Sequence, residues 1–267
     1  HAHTTPDSIG VCDFVLVGLK TTANSQYHEL IDPLVGPNTA ILCLQNGLGN
    51  CEQLAGLFGK DRVLAGLCFV CLNRTEPGVV KHQGFGKIVL GEFQRPVQPR
   101  TREIAEKFER SGVSCEVVDE LDAGLWEKLV WNIPFNGLGI TASAGLDSLD
   151  SGKIPEVLGP AWATDRLLGE EDWELRIREL MLEIINVAAA KDINLKADLA
   201  QRMIQNTGSM GAYRPSTVVD FDKGRPFELE SMFLEPLRQA RAVKVSVPRL
   251  EALCVVLEKL ARYLPHS

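Results

Sequence analysis

Several shortages in this sequence narrow what it can be. No apolar run approaches the roughly 18 to 20 residues that a membrane span needs. Positive charge is in the minority, with 28 Lys and Arg against 35 Asp and Glu, for a formal net charge of −7. Neutralising a phosphate backbone requires a basic surface, so the charge balance argues against nucleic acid as the main partner. Cysteine is sparse too: seven, an odd number scattered over 267 residues, do not make a disulfide framework. A reduced, cytoplasmic setting is expected. The opening "HAHTTPDSIG" has neither a basic stretch nor an apolar one, so no signal peptide is read there and the sequon at Asn73 carries little weight. The single CxxC, Cys68 to Cys71, lacks both a second pair and a helix-opening turn. Small apolar side chains in a buried strand account for it better than a metal or redox site.

What is present fits a soluble globular chain, with 45% hydrophobic and 24% charged residues and length enough for two ordinary domains. Up to residue 118, short apolar runs alternate with amphipathic ones. "CDFVLVGLK", "NTAILCLQN" and "RVLAGLCFV" read as strands, and "NSQYHELIDPLV" and "CEQLAGLF" read as helices. That alternation predicts a parallel α/β sheet of Rossmann-like type. "GVVKHQ" and "KIVLGEF" read as a strand pair, followed by a helix in "TREIAEKFERSG" and a strand in "CEVVD". From Asp119, a plausible N-cap, the strand signal nearly disappears. "WELRIRELMLEIINVAAAK" and "PRLEALCVVLEKLARYL" have helical spacing, the latter with Pro248 suited to a first helical position. The expected organisation is therefore a Rossmann-like domain over 1–118 and an all-α domain over 119–267. Residues 145–171, rich in Gly, Asp and Ser, read as a surface excursion.

Three polar groupings stand out. In "LWEKLVWNIPFNGLGI", Lys128, Asn132 and Asn136 recur at i, i+4 and i+8, so they share one face with a drift of about 40° per step. A solvated stripe is the plain alternative, but such faces carry several charges rather than amides beside Trp131 and Phe135. Pro134 also frees a backbone carbonyl nearby. A lysine among amides can protonate a carbonyl oxygen while the amides orient the rest of the substrate. Burial lowers a lysine's pKa, and a nearby carboxylate would offset this. In "LQNGLGN", Asn46 stands at the carboxyl end of a strand, where open parallel sheets bind ligands, with Gly47 and Gly49 beside it. An ordinary strand-to-helix turn explains that motif equally well. In "YRPSTVVDFDKGRPFELE", Ser216 precedes Glu228 by twelve residues. A helix cap and a first-turn acid suffice for those two taken alone.

Taken together, "DFVLVGLK", "LQNGLGN", "WEKLVWNIPFN" and "RPSTVVDFDKGRPFELE" resemble, in order and spacing, the ketopantoate reductase family, whose members use NADPH to reduce 2-dehydropantoate to pantoate. The resemblance implies that Lys128 is the catalytic proton donor and that Asn132, Asn136 and Ser216 hold the substrate. It implies that Asn46 touches both substrate and cofactor, that Lys20 contacts the cofactor, and that Glu228 lies near the lysine and the nicotinamide ribose. A 2-keto acid is then the substrate, with no nucleic acid or membrane partner, and a homodimer is allowed. The resemblance also has gaps. The family opens with a strand, a GxGxxG turn and a helix that holds the pyrophosphate. "GLGNCE" lacks the third glycine and "GFGKIV" leads into a strand pattern, so the chain reads as a member without roughly its first 60 residues, about one βαβ unit and its flanks. The stretch from Ser143 to Asp172 is long for the family, and Pro236 is expected to kink the helix after Glu228. The rival readings are another 2-keto acid dehydrogenase of similar build, or a non-catalytic remnant acting through a helical dimerisation domain.

Overall fold

The computed structural model describes residues 2–264, with the side chains of Asn73 and Gln83 outside the described set. The sequon reading at Asn73 therefore lies outside the described residues. The chain divides into two compact units, His1–Leu121 and Asp122–Ser267.

The first unit is a five-stranded sheet in the order β1-β2-β3-β4-β5, with ranges Cys12–Val17, Val35–Cys43, Val63–Glu76, Val79–Glu92 and Ser114–Val117. β1, β2 and β3 run parallel, β3 and β4 are antiparallel, and β4 and β5 are parallel. Period-two alternation explains why the sheet is covered on both sides. Val15, Val17, Ile41, Cys43 and Val63 face one core with Tyr27, Leu54 and Phe58. Ala40, Leu42, Leu64, Ile88 and Leu90 face the other with Ile104 and Ala105. The connections are a mixed segment over 21–34 with α1 (Tyr27–Ile31), then α2 (Asn50–Phe58), a tight turn at Pro77–Gly78, and α3 (Pro99–Arg110). Pro77 followed by Gly78 at φ 78° is the chemistry of a type II turn.

Two sequence readings change here. "GVVKHQ" and "KIVLGEF" are one strand, β4, rather than a pair. The glycines between them mark a bulge, where the register against β3 slips and Phe85 (φ 61°) and Gly86 (φ 138°) take positive φ. The helix expected over "NSQYHELIDPLV" is a short α-helix flanked by two 3-10 turns, with Pro33 in the second turn ending the run.

Glu92 fastens β4 to α3. Its carboxylate accepts from Arg95 Nε (2.9 Å), Arg100 Nε and Nη2 (3.0 and 2.6 Å) and Thr101 Oγ1 (2.7 Å). Burial alone would raise this carboxyl's pKa. Hydrogen bonds from Arg100 and Thr101, with the charge of Arg100 and a bond from Arg95, outweigh it and hold the group below the usual carboxylate range.

Among the described residues the second unit holds helices and no strand: α4 (Asp122–Thr141), α5 (Asp147–Ser151), α6 (Thr164–Gly169), α7 (Glu171–Ala189), α8 (Leu199–Gly208), α9 (Ser216–Asp222), a π-helical turn (Glu230–Leu234), α10 (Glu235–Ala242) and α11 (Pro248–Arg262). α4 begins at Asp122, and Asp119 does not cap it. The Asp119 carboxylate instead accepts from the Val97 N–H at 3.1 Å. α7 buries Trp173, Ile177, Leu180, Met181, Ile184 and Val187 at helical spacing. α11 opens on Pro248 and has no side-chain cap of its own. Glu183 of α7 supplies the acceptors, taking the N–H of Arg249 (2.8 Å) and of Leu250 (2.9 Å). Residues 145–171 are only partly an excursion. Val157 is exposed, but Ala161, Ala163 and Leu167 are core residues, and the Trp162 N–H bonds the Gly139 carbonyl at 2.9 Å. No described helix is long and apolar enough to cross a membrane.

A carboxyl with a depressed folded-state pKa stabilises above its unfolded value, about 4.3, and loses that contribution as pH falls. Glu92→Gln should therefore cost about 2–3 kcal/mol at neutral pH, shrinking as pH falls below the unfolded carboxyl's value of about 4.3. Urea unfolding across that range measures it, and a cost independent of pH would contradict the assignment.

Candidate active site

α4 is apolar nearly all round and buried on every side from Asn132 to Thr141. Such a helix belongs in the centre of a bundle, and α4 packs against α6, α7, α8, α9, α11 and the π-helical turn. Two glycines permit this close packing. A Cβ on Gly137 would come 2.6 Å from Leu253 Cδ2 and 2.9 Å from Phe233 Cε1. One on Gly139 would meet Val218 Cγ2 at 2.6 Å and the Trp162 carbonyl at 3.0 Å.

The polar stripe lies on this helix, and its three members differ in environment. Lys128 is half-buried near the N-terminal end. Asn132 is 8% exposed, and among the described residues no hydrogen bond uses its side-chain amide. Asn136 is 1% exposed and has both ends engaged. Its Nδ2 donates to the Asn132 carbonyl (2.9 Å), and its Oδ1 accepts from the Thr217 N–H (3.0 Å). Beside the stripe, Trp131 Nε1 donates to Thr207 Oγ1 (2.8 Å), and its ring packs on Phe135 and Tyr213. Trp131 is thereby an anchor between α4 and α8. Pro134 has no N–H, so the Val130 carbonyl lacks its usual partner four residues on.

Ser216 is the first residue of α9, exposed, and its hydroxyl makes no hydrogen bond among the described residues. Glu228 is 3% exposed and lies just before the π-helical turn. In that turn the Glu235 N–H reaches back to the Glu230 carbonyl, five residues away. The expected irregularity near Pro236 takes this form: the proline has no N–H for the carbonyl four residues earlier, and the π-helical turn ends two residues before it. Pro236 then sits in the first turn of α10.

The first unit holds the other two sequence candidates. Lys20 is exposed after β1, and Asn46 is half-buried after β2. Both strand ends are braced by an amide network that the sequence reading missed. Gln45 Nε2 donates to the Leu19 carbonyl (3.0 Å) and to Asn24 Oδ1 (2.9 Å), while its Oε1 accepts from the Tyr27 hydroxyl. Asn24 Nδ2 donates to Asn50 Oδ1 (2.8 Å), and Asn50 Nδ2 donates to the Asn46 carbonyl (2.9 Å). Burial pushes the Tyr27 phenol well above its ordinary value, so it remains a donor. A glutamine directly after the apolar run of β2 was the one available signal. The described residues contain no cluster of three or more His, Cys, Asp or Glu able to hold a metal.

A family model described as ketopantoate reductase PanE/ApbA matches residues 1–95, and one for its C-terminal part matches residues 161–261. The 2-dehydropantoate 2-reductase of Nostoc sp. is 33% identical over 247 residues, covering 91% of this chain and 72% of that protein. The crystal structure of 2-dehydropantoate 2-reductase from Geobacter metallireducens matches with a TM-score of 0.85 at 41% identity, over 96% of this chain and 80% of that one. D-mandelate dehydrogenase solved with NADH, at 20% identity, has a TM-score of 0.78 over 95% of this chain and 80% of its own; it shares the fold alone. A Rossmann-like unit followed by a helical one is thus the build of a class of oxidoreductases. The chain belongs to the ketopantoate reductase family.

The family implies a nicotinamide dinucleotide. The carboxyl edge of β1 and β2 fits part of one: it presents Lys20 and Asn46, and Gly47 and Gly49, at φ 81° and 85°, let backbone approach a ligand closely. The glycine-rich pyrophosphate turn is not among the described residues. "GLGNCE" leads from β2 into α2 with Gly49 as its N-cap, and "GFGKIV" lies inside β4.

Gly139→Ala should lower stability by about 1–3 kcal/mol, because the added methyl meets a backbone carbonyl as well as Val218. An unchanged urea midpoint would show that α4 does not need this close approach.

Proposed function

We propose that this protein reduces 2-dehydropantoate to pantoate with NADPH. The observation that carries the reading is the Asn132 side-chain amide: nearly buried, with no hydrogen bond among the described residues, and one helical turn from Lys128. Buried amides ordinarily find partners within the fold, so an unused one at the edge of access is suited to a ligand's oxygen. The Lys128 ammonium would donate its proton to the ketone oxygen as that oxygen becomes a hydroxyl. The Asn132 N–H would hold the same end of the substrate, and the Ser216 hydroxyl would donate to its carboxylate. Glu228, a carboxylate held in a buried position, would balance the ammonium's charge. Lys20 and Asn46 would contact the dinucleotide, which when bound supplies the hydride.

The test follows NADPH oxidation by absorbance with 2-dehydropantoate and with a straight-chain 2-keto acid. The branched acid should be reduced well ahead of the straight one. A preference for another 2-keto acid would instead favour a dehydrogenase of similar build, and no NADPH fluorescence change on mixing would favour a non-catalytic chain. Removing a general acid typically costs about 10² to 10⁴ in rate. Lys128→Ala should accordingly lower turnover by at least about a hundredfold while leaving NADPH affinity within about threefold. Near-normal turnover in that variant would remove the lysine from the chemistry.

A further inference from the structure

We infer that Asn136 is a positioning residue and not a substrate ligand: its amide pins the start of α9 to α4, and this sets where the Ser216 hydroxyl stands relative to Lys128 and Asn132. The inference rests on the function proposed above and departs from the role the family resemblance implies for this residue.

The need for such a pin is visible in α9 itself. A helix leaves its first N–H groups without intrahelical partners. The N-cap of α9 is Pro215, which has no side-chain oxygen to offer, and no side-chain cap is formed. The helix is only seven residues long, too short for propensity to hold it in place. The Thr217 N–H is one of the orphan donors, and the acceptor that satisfies it is Asn136 Oδ1, 81 residues earlier in the chain. The other end of the same amide donates to the Asn132 carbonyl, which fixes its orientation on α4. Val218 pressing on Gly139 provides a second contact between the helices.

An amide used in this way has little left for a ligand. Asn136 is 1% exposed, and turning it toward a substrate would strand a buried backbone donor. Asn132, one turn earlier, has the opposite character: the same residue type, slightly more accessible, with its side-chain amide unused among the described residues. The stripe therefore separates into a ligand-facing amide and a structural one. Ser216 is bonded directly to Thr217, so a shift of the pinned residue is a shift of the hydroxyl.

The experiment is a double-mutant cycle, with kcat and KM for 2-dehydropantoate measured at saturating NADPH in the wild-type chain, Asn136→Ala, Ser216→Ala and the double variant. Each single change should raise KM about five- to tenfold with kcat little altered, the scale of one hydrogen bond. The double variant should be no worse than the more severe single one, because both act through the same hydroxyl. Multiplicative effects would mean that Asn136 binds substrate itself and would overturn the inference. A second measurement needs no variant: hydrogen exchange in the wild-type chain. Thr217 should be protected although it lies in the first turn of a short helix, and exchange at the rate of an unprotected amide would equally overturn the pin. A wild-type chain inactive toward 2-dehydropantoate would overturn the proposed function instead, leaving the pin to be judged by exchange alone.

Discussion

The second unit depends on how closely its neighbours can approach α4. A helix apolar on all sides is stable only if every side is covered, and Gly137 and Gly139 let the π-helical turn, α11 and α9 come within contact of its backbone. The polar residues on α4 are tolerated inside this packing because each has a defined situation. Asn136 is bonded at both ends, Asn132 lies at the edge of access, and Lys128 sits near the end of the helix, where the burial loosens. A lysine and an amide are thus held by a closely packed wall, the kind of support that the proposed acid catalysis would need.

The first unit solves a related problem by another means. Loops at the carboxyl ends of parallel strands carry polar backbone groups that must be satisfied if the loops are to stay in place. The chain from Tyr27 through Gln45 and Asn24 to Asn50 does this with side-chain amides, and its ends are the Leu19 and Asn46 carbonyls. Amides donate and accept at once, so a short relay ties two loops together without adding net charge. The Glu92 cluster serves the same purpose at the other side of the sheet with charged groups, at the end of β4.

What the sequence made legible was periodicity. The apolar runs of β1, β2 and β3 and the helical spacing of α7 and α11 are local patterns, and local sterics enforce them. What it hid were relations between distant residues. The glycines around Phe85 read as a strand end but form a bulge, because the choice depends on β3 alongside. Asp119 has the chemistry of a helix cap, yet its carboxylate bonds Val97. Residues 161–167 belong to a stretch whose Gly, Asp and Ser content reads as an excursion, but their backbone is laced to α4 and to the loop before α9. Gln45 and Asn50 stand inside "LQNGLGN", but their shared partner Asn24 lies more than twenty residues away, so the motif does not reveal the relay. Asn132 and Asn136 are the sharpest case. Their spacing from Lys128 gives both the same reading, and it is the Thr217 N–H, bonded by Asn136, that distinguishes them.

A crystal structure of the chain with pantoate bound would probe this division of labour most directly. The expected result is the Asn132 amide within hydrogen-bond distance of a pantoate oxygen, with Asn136 still holding the Thr217 N–H. Pantoate bound through Asn136, with the Asn132 amide left without a ligand, would contradict it.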